Sequence, residues 1–115
     1  MANITQREVF IMEYRRFGNT IYLRLDPKEE ILEEIGKVAK KKNIRLAQVT
    51  GLGAINDFTA GVYNTVTKEY HSIQFQGAFE IVSLTGTVTR KDGDVYLHLH
   101  IAAGDEEGHV HGGHL

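Results

Sequence analysis

Apolar and polar residues alternate with a period of two along most of this chain, the signature of half-buried strands. One segment instead repeats its apolar positions at helical spacing. Residues 9–14 and 20–25 read as strands joined by Arg15-Arg16-Phe17-Gly18-Asn19, a turn with Gly-Asn in it. The chain's one proline then sits in Asp26-Pro27-Lys28-Glu29. There Asp26 suits an N-cap, Pro27 the first helical position, and Glu29 a capping box. Ile31, Leu32, Ile35, Val38 and Ala39 follow as an apolar stripe, and Lys40-Lys41-Lys42-Asn43 ends the helix. Residues 44–50 form the next strand. Beyond Gly51-Leu52-Gly53-Ala54, strands are predicted over 58–63, 68–75, 78–90 and 94–103. Lys91-Asp92-Gly93 makes a hairpin turn between the last two. One main helix with six to eight mostly antiparallel strands predicts an α+β fold, a strongly curved sheet with the helix packed on it.

The chain has 115 residues, 42% of them hydrophobic, which predicts one domain over residues 1–115 burying about two-thirds of its unfolded surface. There is no cysteine, so disulfides and thiolate metal sites are excluded. Residues 1–8 carry no apolar leader segment, and no apolar run is long enough to span a bilayer, so the expected location is the cytoplasm and no membrane partner is expected. Thirteen basic and fifteen acidic residues give a net charge of −2, without the basic excess of a dedicated nucleic-acid binder. The one basic cluster, Lys40-Lys41-Lys42, stands at a helix C-terminus, where cations complement the macrodipole. Gly51-Leu52-Gly53-Ala54 lacks the pattern of a dinucleotide or phosphate loop, and tight backbone packing explains it better.

Five of the six histidines fall between Leu97 and Leu115, and their spacing carries chemistry. In Tyr96-Leu97-His98-Leu99-His100-Ile101 the two histidines share one strand face, while Leu97, Leu99 and Ile101 take the other. Gly104-Asp105-Glu106-Glu107-Gly108 is a turn signal. If those five residues form the loop, Ala103 pairs with His109, His98 lies opposite His114, and His100 lies opposite Gly112. Directly opposed residues share a face. His98, His100 and His114 then converge, and His109 and His111 fall on the leucine side. A one-residue slip would exchange His114 for His111, and a bulge at Gly112-Gly113 could change the parity. Three neutral imidazoles suit a divalent transition ion, zinc first, rather than calcium or magnesium, and leave a tetrahedral ion one open place. Decoration of an exposed sheet edge is the plainer alternative. It explains a lone histidine better than an H-x-H joined by a third histidine.

Several separated pieces together resemble one family, the plant and prokaryote conserved (PPC) domain. They are Thr50-Gly51-Leu52-Gly53-Ala54, the strand from Gly77-Ala78-Phe79-Glu80-Ile81 to Gly86, Asp92-Gly93 with His98-Leu99-His100, and Gly108-His109-Val110-His111-Gly112-Gly113-His114-Leu115. The resemblance covers nearly the whole chain. It implies an α+β fold, assembly as a homotrimer, and in several stand-alone members a divalent metal held by three histidines that map onto His98, His100 and His114. Such members are described as predicted DNA-binding proteins, by analogy with plant nuclear proteins that carry an AT-hook before the domain. Three departures matter. Ala78 stands where the plant proteins have arginine, no AT-hook core is present, and the family continues for one or two strands beyond the point where this chain stops, Leu115.

Three functions compete. The first is a trimeric metal protein whose open site holds a small ligand or performs a metal-dependent reaction. Glu80 is its candidate second-sphere or general-base carboxylate, although pairing Arg90 with Asp94 sets Glu80 beyond the loop end of the partner strand. The second is a DNA-binding or transcription-associated protein. Charge balance and the missing AT-hook argue against tight direct binding. The third is an oligomerisation module acting through partners. Salt-dependent retention on DNA singles out the second, and turnover lost on chelation singles out the first.

Overall fold

The computed structural model describes residues 12–115. Its contacts divide the chain into two compact units, residues 1–43 and residues 44–115. In the first, β1 (Glu13–Phe17) and β2 (Thr20–Arg24) form an antiparallel hairpin closed by Gly18-Asn19, with Phe17 opposite Thr20. The predicted first strand over 9–14 is therefore displaced, and its residues 9–11 lie outside the described residues. Gly18 adopts φ 61°, which lets two residues suffice where five were expected.

The helix α1 (Ile31–Lys41) starts later than its proline suggests. Lys28 takes φ 77°, a left-handed conformation no helix continues through, so residues 26–29 make a separate turn. In it the Glu29 amide donates to the Asp26 carbonyl at 3.1 Å, and the Asp26 amide donates back to the Glu29 carboxylate at 2.6 Å. The N-cap is Glu30, whose carboxylate accepts from the Leu32 and Glu33 amides. At the other end Lys40 and Lys41 lie in the last turn and Asn43 takes φ 51°, so the lysine run ends the helix as expected.

In the second unit β3 (Ala47–Asn64), β4 (Glu69–Lys91), β5 (Asp94–Gly104) and β6 (Val110–His114) form a closed antiparallel barrel in the order β3-β4-β5-β6. Strands with one helix match the expected α+β class, and the curvature goes as far as closure. Two predicted breaks are absent. Residues 44–50 and 58–63 belong largely to the continuous β3, and 68–75 and 78–90 to the continuous β4. Glycine is the reason. Gly53 at φ 141° and Gly77 at φ 146° lie beside register shifts that bend the strands without ending them. The β4–β5 turn is Asp92-Gly93, both at positive φ, so Lys91 pairs with Asp94 and Arg90 with Val95, one place from the expected Arg90–Asp94 pairing.

Alternation decides what lies inside this barrel. Phe58, Ala60, Phe79, Leu84, Val88, Leu99, Ile101 and Ala103 are buried, whereas His98 and His100 on the other face of β5 are exposed. Closure depends on β6 reaching β3, where Gly61 pairs with His114. A Cβ at Gly61 would stand 2.5 Å from the His71 carbonyl oxygen, and one at Gly113, itself at φ 153°, would stand 2.6 Å from the Gly61 carbonyl oxygen. The bare Gly113 lets β6 come this close to β3, and the bare Gly61 lets β3 come this close to His71 and Tyr70 of β4. Gly61→Ala should therefore destabilise the protein by about 1–3 kcal/mol, read as a lower urea midpoint, because backbone rather than a flexible side chain must move.

Candidate metal centre

The β5–β6 connection closes on Asp105. Its amide donates to the His109 carbonyl at 2.8 Å, and its carbonyl accepts from the Gly108 amide at 3.0 Å. Oδ1 accepts from the Glu107 and His109 amides, each at 2.9 Å, while Oδ2 lies 3.0 Å from His111 Nε2. Gly104 is consequently part of the ladder, opposite Val110, rather than part of the loop. Ala103 pairs with His111 instead of His109, and His114 lies opposite His100 instead of His98. The expected register is thus wrong by two residues. An even slip preserves parity, so the face assignment of His114 survives.

His98, His100 and His114 accordingly meet on the outer face, with one ring nitrogen from each lying within 4.8 Å of the others. Their ring centroids are 5.2 Å apart for His98–His100, 5.1 Å for His98–His114 and 5.7 Å for His100–His114. Leu115 fixes the end of β6 by donating its amide to the Leu99 carbonyl at 3.0 Å. Burial, and next the neighbouring His98 and His100, hold the His114 imidazole below its usual pKa. That favours the neutral, ligating form. Three nitrogens this close suit one ion at the usual ~2.0–2.1 Å after the rings turn inward.

His109 and His111 stay apart from this group. His109 is in the loop, exposed, and outside β6. His111 turns to the leucine side as expected, against Phe75 at 5.0 Å and Phe79 at 6.1 Å between ring centroids. Glu80 is not brought to the histidines. It stands exposed opposite Gly104, four residues along β5 from His100.

Sequence reasoning missed the surroundings of the trio. An open cleft of about 620 Å³ is lined by Gly61, Val62, Tyr63, Tyr70, Tyr96, Gly113 and the three histidines. Tyr70 donates its hydroxyl to the His114 carbonyl at 3.2 Å and sets its ring edge-on to that imidazole at 5.8 Å. Tyr96 was legible, since Tyr96-x-His98-x-His100 places all three on one face. Tyr63 and Tyr70 required the β3–β4 pairing that puts them opposite each other.

The model of the Plants and Prokaryotes Conserved (PCC) domain matches residues 12–115. The chain belongs to the PCC domain family. Among solved structures, a PPC protein from Pyrococcus horikoshii is 36% identical with a TM-score of 0.78, over 91% of this chain and 71% of that one. A candidate DNA-binding protein from Bacteroides thetaiotaomicron is 33% identical with a TM-score of 0.87, over 90% and 73%. A metal-containing protein from Archaeoglobus fulgidus is 28% identical with a TM-score of 0.72, over 91% and 67%. No curated protein matches the chain. Among the described residues of this PCC-domain chain, no helix is long and apolar enough to cross a membrane.

Asp105 makes a direct pH prediction. Its hydrogen bond with His111, aided by the His109 and Glu107 amides and opposed by burial, lowers its pKa from 3.8 to about 2. A depressed carboxyl pKa contributes stability that is fully present above 3.8 and is lost as pH falls towards about 2. Asp105→Asn should unfold at lower urea than the parent at neutral pH, and the gap should narrow as the parent is titrated through that window.

Proposed function

We propose that this PCC-domain protein is a homotrimer that binds a divalent transition metal, zinc first, through His98, His100 and His114, and keeps an open place for a small ligand. The convergence of three ring nitrogens within 4.8 Å carries this reading. A further observation supports it: the metal-containing relative from Archaeoglobus fulgidus. When bound, such an ion supplies Lewis acidity at its open place. The chain's own part is to hold three imidazoles, fix His114 through Tyr70 and Leu115, and wall the cleft with aromatic rings. Among the described residues no carboxylate lines the cleft and Glu80 stands elsewhere, so the reading is one of binding.

Metal analysis of untagged protein should find about one zinc or similar ion per chain. Alanine at His98, His100 or His114 should weaken binding by orders of magnitude, since a missing donor is not replaced. His109→Ala and His111→Ala should retain the metal. Full occupancy in His114→Ala would remove the assignment.

Trimer formation is supported by apolar residues left outside, among them Leu52, Val62, Val82 and Val110, each at least 57% exposed. Sedimentation at micromolar concentration should give a mass of three chains, and a monomer would contradict this part of the reading.

A DNA-associated role is the second reading, favoured by the candidate DNA-binding relative from Bacteroides thetaiotaomicron. A net charge of −2 limits direct contact to the non-specific range, ~10⁻⁴–10⁻⁶ M at physiological salt.

A further inference from the structure

The cleft around the three histidines is larger and more aromatic than an ion needs. Its volume of about 620 Å³ falls within the ~300–1,000 Å³ typical of small-molecule sites. Tyr96 shares the outer face of β5 with His98 and His100, and Tyr63 and Tyr70 stand directly opposed across β3 and β4. All three rings border the cleft and remain 42–51% exposed, so they offer aromatic surface to a guest, with Lys91 standing over one face of Tyr96. Charge points one way. Among the described residues no acidic side chain lines the cleft, three neutral donors cancel none of a divalent ion's charge, and the Lys91 ammonium lies 5.4 Å from the Tyr96 ring centroid.

We propose that this cleft binds a small organic carboxylate with a flat apolar body, its charged end towards the metal and its body against Tyr63, Tyr70 and Tyr96. The inference rests on reading the histidines as a metal site. A divalent ion with neutral ligands attracts a monoanion and repels a cation, and the rings add favourable area only for a guest with a body to cover. Acetate has the charge without the body, benzyl alcohol the body without the charge, and benzylammonium the opposite charge. Benzoate has both features.

The test is calorimetric titration of the full chain, after its zinc content has been measured, with these four probes. Benzoate should bind at least about tenfold more tightly than acetate or benzyl alcohol, the size of effect that burial of one ring gives. Benzylammonium should show no binding. Tyr96→Ala and Tyr63→Ala should keep their zinc and weaken benzoate by about three- to tenfold while leaving acetate unchanged. Both variants remove exposed side chains, and retained zinc reports an intact site. A zinc-loaded chain that binds benzoate no better than acetate overturns the proposal. So does benzoate binding that is equal with and without zinc, or a cleft closed to all four probes, as a second copy seated in it would make it. A chain that takes up no zinc at all overturns the metal reading itself, and stoichiometry separates that result from the others.

Discussion

Five residues of β6 close the barrel, and they do so by bringing Gly113 against Gly61 where any side chain would collide with backbone. This close approach sets where the strand ends. Because β6 is pinned between β5 on one side and Gly61 of β3 on the other, His114 has little choice of position. His98 and His100 come from a strand whose opposite face is buried in the interior. Leu99 and Ile101 thus hold the histidine face outward through the pleat itself. The cluster of three histidines is a by-product of barrel closure in this sense: remove the glycine contact and the third imidazole loses its address.

Polar interactions refine what apolar packing leaves loose. Asp105 gathers two backbone amides and the His111 ring, and that knot decides where the loop ends and the ladder begins. His111 is thereby committed to the aromatic side, against Phe75 and Phe79, and does not compete for an ion. Two histidines three positions apart on one short strand therefore serve opposite faces. His111 is half-buried against the aromatic side, and His114 joins the outer histidine cluster.

Much of this was readable from residues alone, and the failures share a cause. The alternation in Tyr96 to Ile101 fixed the two faces of β5, and a register wrong by two still delivered His114 because parity, not pairing, governs the face. Errors fell where glycine or a left-handed residue changes the local rule. Gly53 and Gly77 look like strand breaks yet act as bulges, and Lys28 ends an N-terminal helix pattern that its neighbours announce. Asp105 is one of five residues in a turn signal, and its capping role emerges only when the loop closes on it. Tyr63 and Tyr70 joined the site through a pairing between β3 and β4 that no local pattern encodes.

The account stands or falls on three histidine nitrogens sharing one ion. X-ray absorption at the zinc edge of the metal-loaded full chain measures this directly. Three imidazole nitrogens at ~2.0–2.1 Å, with the ring-scattering features of three histidines and one lighter exchangeable donor, are the predicted first shell. The same spectrum of His114→Ala should show two. A first shell dominated by carboxylate oxygen, or one containing three imidazoles in His114→Ala, would contradict the account.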